Sequence, residues 1–107
     1  MPEGGRNLRI EVADTTSPTM MVLTGEIDIS TAGRVREALI AISSSGENKV
    51  VVDMTNVTFM DSTGLAALVG PLKRFRSMNG QIVLRSPARP VRKVLEISGL
   101  TRVFTIE

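Results

Sequence analysis

A single α/β domain, with a mixed and mainly parallel sheet of four to five strands under amphipathic helices, is the fold class the residue pattern predicts. Three observations carry that prediction. Short apolar runs of strand length alternate with longer segments whose apolar residues recur at spacings of three and four. Clusters of glycine, serine, asparagine and proline mark nearly every change of period. The core must also be aliphatic, because the 107 residues include only three aromatics, Phe59, Phe75 and Phe104.

Residues 1–7 are Gly-rich and polar and are expected to form a flexible N-terminus, leaving residues 8–107 as the domain. Leu8, Ile10 and Val12 alternate with Arg9 and Glu11, the period of a half-buried strand. Asp14-Thr15-Thr16-Ser17-Pro18 reads as a turn, and Met20 to Leu23 as a second strand ending at Thr24-Gly25, so an antiparallel hairpin is predicted. From Ser30 the period becomes helical, through Ala32, Val35, Ala38, Leu39 and Ile42. Asp28 or Ser30 is the expected N-cap, and Ser43-Ser44-Ser45-Gly46 the stop.

Val50-Val51-Val52 is a continuous apolar run fit for a strand buried on both faces, which Asp53-Met54-Thr55-Asn56 leaves. A second helix follows Asp61-Ser62, with Leu65, Leu68, Val69, Leu72 and Phe75 as its stripe and Asn79-Gly80 as its end. Pro71 stands inside it, removing one backbone donor, so a kink is expected between Ala67 and Pro71. Ile82-Val83-Leu84 is a buried strand parallel to the one at Lys49–Val52, and Pro87 to Ile97 a third helix stopped by Gly99. Val103 to Ile106 adds a short last strand. The order is ββαβαβαβ, with right-handed crossovers.

Composition removes several kinds of chemistry. Without cysteine there is no disulfide, thiolate metal site or cysteine nucleophile; without histidine there is no Ser-His pair. The residual enzymatic reading needs Asp53, Asp61 and Lys73, with no Gly-rich phosphate loop to help. Thirteen basic against 11 acidic residues leave a net charge of only +2. The clusters Lys73-Arg74-Arg76 and Arg85-Arg89-Arg92-Lys93 lack aromatic stacking partners, so they read as solvated helix faces and no nucleic-acid partner is implied. No apolar run approaches a membrane span or a signal-peptide core, so no membrane partner and a cytoplasmic location are expected.

The informative stretch is Val57-Thr58-Phe59-Met60-Asp61-Ser62-Thr63-Gly64-Leu65-Ala66-Ala67-Leu68, which runs from a strand through a loop into a helix. A serine at a helix start can cap the free N–H groups of Gly64 and Leu65, worth about 1 kcal/mol. Phosphorylated, it would place about −2 charge at the positive end of the helix. Local physics alone favours a plain cap.

The chain resembles the STAS domain family, specifically the bacterial anti-anti-sigma factors, or anti-sigma factor antagonists. The resemblance covers residues 8–106. It rests on Leu23-Thr24-Gly25-Glu26-Ile27-Asp28, on Thr31-Ala32, and above all on Phe59-Met60-Asp61-Ser62-Thr63-Gly64-Leu65, with Asn79-Gly80 and Ser98-Gly99-Leu100 in support. It implies a partner-switching circuit. The unphosphorylated protein binds a serine-kinase-type anti-sigma factor and so frees a sigma factor. That kinase phosphorylates the serine matching Ser62, which abolishes binding, and a PP2C-type phosphatase reverses the step. By position, Asp61, Thr63 and Gly64 lie at the docking surface, and Asp28 and Thr31 on the loop beside it. ATP and Mg²⁺ belong to the kinase, so no cofactor is expected. A monomer is expected. The competing implication is a STAS module that only scaffolds a larger assembly, with Ser62 a helix cap.

Overall fold

The computed structural model describes residues 7–13 and 17–107. The expected flexible segment (apart from Asn7) and the Asp14-Thr15-Thr16 part of the expected turn lie outside these. The described elements are β1 (Leu8–Ala13), β2 (Thr19–Ile27), α1 (Ala32–Ser44), β3 (Lys49–Met60), α2 (Ser62–Ser77), β4 (Gln81–Arg85), α3 (Arg89–Ser98), a 3-10 turn (Leu100–Arg102) and β5 (Thr105–Ile106). The order ββαβαβαβ is as predicted. The sheet runs β1-β2-β3-β4-β5; β1 is antiparallel to β2 and every other pair is parallel.

Neighbours in sequence are neighbours in space, and right-handed crossovers then lay all three helices on the same face of the sheet. The core cluster reflects this. Met21, Leu23, Val50, Val52, Ile82 and Leu84 meet Val35 and Leu39 of α1, Leu68, Leu72 and Phe75 of α2, and Val91 and Leu95 of α3. Val51 and Val83 point the other way and are buried without belonging to that cluster. They lie in one cross-sheet row with Met20 and Thr105, beside a second row of Val22, Asp53 and Arg85. An Arg85–Glu107 ion pair (2.8 Å) and a Thr105–Gln81 hydrogen bond (2.6 Å) overlie that face. The shortest axis, 20 Å, matches one sheet plus one layer of helices about 10 Å thick.

Several boundaries differ from the sequence reading. β2 does not stop at Thr24-Gly25 but continues to Ile27, its ladder absorbing irregularities at Val22/Thr24 and Gly25/Glu26. β3 likewise runs on through Asp53–Asn56 to Met60. α1 begins at Ala32 with Thr31 in the cap position and no side-chain cap bond, so neither Asp28 nor Ser30 caps it. α3 begins at Arg89, leaving Pro87 outside and Pro90 in the first turn, and Gly99 closes it in the left-handed conformation. α2 is unbroken across the buried Pro71. At its end Asn79 takes a positive φ of 59°, and Gly80 is needed for proximity: a Cβ there would lie 1.6 Å from the Asn48 carbonyl oxygen. Of the basic clusters, Arg74 donates to Ser43 and Ser44 of α1, and Arg76 to the Val103 carbonyl; Lys73, Arg89, Arg92 and Lys93 stay exposed.

Candidate functional site

β2 and β3 are parallel, so their carboxyl ends deliver Asp28 and Asp61 to one edge of the molecule, beside the first turns of α1 and α2. The Asp61 N–H donates to the Ile27 carbonyl (3.3 Å), tying the two strand ends together. Gly64 completes the junction. A Cβ there would lie 2.8 Å from the Ile27 side chain, the Ile27 carbonyl oxygen and the Met60 side chain, so only glycine lets the first turn of α2 sit this close to β2.

The capping group of α2 is Asp61, not Ser62. One carboxylate oxygen, Oδ1, accepts from the N–H of Thr63 (3.0 Å), the N–H of Gly64 (3.1 Å) and the Thr63 hydroxyl (2.5 Å). These bonds, the Thr63 hydroxyl first, hold the Asp61 carboxyl below the ordinary carboxylate range, against desolvation and, last, the nearby Asp28 charge, which push it upward. The expected Ser62 cap on Gly64 and Leu65 is therefore absent, since the Leu65 N–H goes to the Asp61 backbone carbonyl (3.0 Å). Ser62 is the first residue of α2. It is exposed, and its hydroxyl makes no hydrogen bond to any described residue. Thr63 is half-buried with its hydroxyl engaged.

The neighbouring loop is similarly braced. Asp28 Oδ1 accepts from the N–H (2.9 Å) and hydroxyl (2.6 Å) of Ser30, which lower the Asp28 carboxyl, the hydroxyl most. The buried Thr31 hydroxyl accepts from the Asp28 N–H (2.9 Å) and donates to the Glu26 carbonyl (2.8 Å). Thr31 and Gly64 are thus buried supports, while Asp28 and Asp61 are partly exposed and Ser62 is exposed.

The sequence-predicted site residues Asp28, Thr31, Asp61, Ser62, Thr63 and Gly64 thus come together at one edge. The carboxylates and lysine of the enzymatic reading do not. Asp61 lies eight residue steps beyond Asp53 along β3, roughly 26 Å; Lys73 lies 11 residue steps beyond Ser62 in α2, roughly 16 Å along its axis. Asp53 instead binds Thr55 and faces Arg85. Sequence reasoning passed over Ile29, which stands 83% exposed on the loop; an isoleucine between Asp28 and Ser30 is a turn residue of the wrong character, and that was its signal.

Comparison with known proteins gives consistent results. The STAS domain family model matches residues 9–107. The anti-sigma-B factor antagonist of Listeria monocytogenes is 33% identical over 102 residues, 94% of this chain and 90% of that one. Among solved structures, the anti-sigma factor antagonist SpoIIAA in its unphosphorylated form superposes with a TM-score of 0.80 at 23% identity, covering 92% of this chain and 88% of that one. The phosphorylated form of Bacillus SpoIIAA gives 0.73 at 22% identity, with coverage of 92% and 91%. No helix among the described residues is long and apolar enough to cross a membrane.

Proposed function

The chain belongs to the STAS domain family, and from that premise we propose that it is an anti-sigma factor antagonist switched by phosphorylation of Ser62. In the unphosphorylated state it binds a serine-kinase-type anti-sigma factor through the edge formed by Asp28, Asp61 and Ser62, with Thr31, Thr63 and Gly64 holding that edge in shape. The bound anti-sigma factor releases its sigma factor. The kinase transfers the γ-phosphoryl group of ATP to the Ser62 hydroxyl, and the complex dissociates; a PP2C-type phosphatase restores the hydroxyl. The chain is the acceptor of this chemistry rather than its catalyst, and it acts in the cytoplasm. The monomer is taken as the switching unit.

One observation supports the reading most: Asp61 takes over the capping of α2, which leaves the Ser62 hydroxyl exposed and uncommitted. A kinase need break no internal bond to reach it, whereas Thr63 would first have to give up its bond to Asp61. The direction of the switch follows from charge. Asp28 and Asp61 already make the edge negative, and about two further charges would have to be desolvated in the interface beside them. Repulsion and desolvation of several kcal/mol correspond to a loss of affinity on the order of 10²-fold or more.

The test is incubation with each serine-kinase-type anti-sigma factor encoded in the organism's genome, with ATP and Mg²⁺, followed by intact mass and peptide mapping. One phosphate on Ser62 is expected, and none on Ser62→Ala, which still binds the kinase. Ser62→Asp should fold and bind more weakly, with about half the charge of phosphoserine. Equal binding by both variants, with phosphate found elsewhere, would make the chain a scaffold with an idle serine.

A further inference from the structure

Among the described residues, the large apolar side chains that stand exposed are Val12, Ile29, Phe59 and Ile97. Two of these four lie at the carboxyl ends of β2 and β3, the end of the sheet from which Ser62 follows. Ile29 is 83% exposed on the loop that follows β2, and Phe59 is 45% exposed on β3, three residues before Ser62. Phe59 pairs across the ladder with Glu26, and the next rung, Ile27 with Met60, leads directly to the Asp61–Ile27 bond. Both residues therefore lie at the end of the sheet that delivers Ser62, with Phe59 beside Glu26 on the helix-free face.

Neither exposure results from slack. The turn bearing Ile29 is braced by the two Ser30 bonds to Asp28 Oδ1, by the Thr31 hydroxyl, and by N–H bonds from Thr31 and Ala32 to the Asp28 carbonyl. Phe59 is fixed in a paired strand. Two apolar side chains held in water by rigid backbone lose little conformational freedom when covered, the property of an interface anchor. Around them stand the carboxylates of Glu26, Asp28 and Asp61.

We infer that Ile29 and Phe59 are the apolar anchors by which this chain docks on its kinase partner, whose complementary surface is an apolar pocket rimmed by lysine or arginine. The inference rests on the reading of Ser62 as acceptor and adds what recognises the partner. A cationic rim matches the acidic edge, and apolar filling supplies the affinity that charge alone does not. The anchors also give the phosphate its leverage, because they seal water from the interface beside Ser62.

Ile29→Ala and Phe59→Ala remove the anchors, and Ile97→Ala, at a residue 78% exposed on α3, is the matched control. Thermal melts of all three should overlay the wild type. Binding to each recombinant serine-kinase-type anti-sigma factor of the organism is measured by calorimetry with ADP present, and phosphorylation by steady-state kinetics. The anchor variants should each raise Kd and KM by about tenfold with kcat unchanged, and Ile97→Ala should change neither. If wild type is phosphorylated on Ser62 and both anchor variants bind equally well, the anchors are refuted and the switch stands. Wild type that no such kinase binds or phosphorylates overturns the switch reading, and the anchors with it.

Discussion

At the scale of single residues, Asp61 and Ser62 exchange the roles that their order suggests. Both are good N-caps, and a shift of one residue in the helix start decides which of them caps, which is beyond what a pattern can resolve. The structure gives the cap to Asp61, so Asp61→Ala should cost about 1 kcal/mol in urea unfolding, whereas Ser62→Ala should stay within about 0.5 kcal/mol of wild type. The sign of the pH dependence follows. The Asp61 carboxyl lies lower in the folded protein than in the unfolded chain. Its contribution is thus complete above the unfolded value, about 3.9, and is lost as pH falls through the lower folded one. Wild-type stability should be flat in this respect from pH 5 to 8 and decline below about pH 4, more steeply than in Asp61→Asn. Gly64 was legible as a motif residue, but its reason is a contact distance. Gly64→Ala must displace Ile27 or Met60 and should lose about 1–3 kcal/mol by overpacking.

At the scale of elements, the helices and the parallel β3–β4 pair were legible because their apolar periods are clean. The far halves of β2 and β3 were not. Thr24-Gly25 and Asp53-Met54-Thr55-Asn56 look like turn chemistry, yet on a sheet with one open face polar residues alternate within a strand, and ladder irregularities accommodate the glycine. Segment-resolved hydrogen exchange should find residues 24–27 and 53–60 protected and 47–48 fast; equal exchange in all three would contradict the long strands. Pro71 is the other instructive case. The ring is buried against the core while the helix continues past it, so packing outweighs the missing hydrogen bond with the Ala67 carbonyl.

At the scale of the molecule, the one-sided arrangement was hidden by Val50-Val51-Val52. A run of three valines reads as a strand covered on both faces, but Val51 is shielded by its neighbours on the sheet surface rather than by helices. Burial alone does not distinguish the two environments; mutation does. Val52→Ala leaves a cavity between sheet and helices and should cost about 2–3 kcal/mol. Val51→Ala lies on the helix-free face, where neighbouring surface side chains can close the gap, and should cost about 1 kcal/mol, as read by chemical denaturation.

The three donors on Asp61 Oδ1 would also set how long a phosphoryl mark placed on Ser62, as proposed, survives. A helix start with vacant N–H groups would grip phosphoserine and fold it inward, but here the N–H groups of Thr63 and Gly64 are already taken by a carboxylate of the same sign. On the proposed switch, a phosphoester on Ser62 would find those amides occupied and would project into water, open to a hydrolase. Phosphorylated Asp61→Ala, with those two amides released to the phosphate, should be dephosphorylated more slowly than the phosphorylated wild type by a PP2C-type phosphatase. Equal or faster hydrolysis would show that Asp61 does not keep the mark legible.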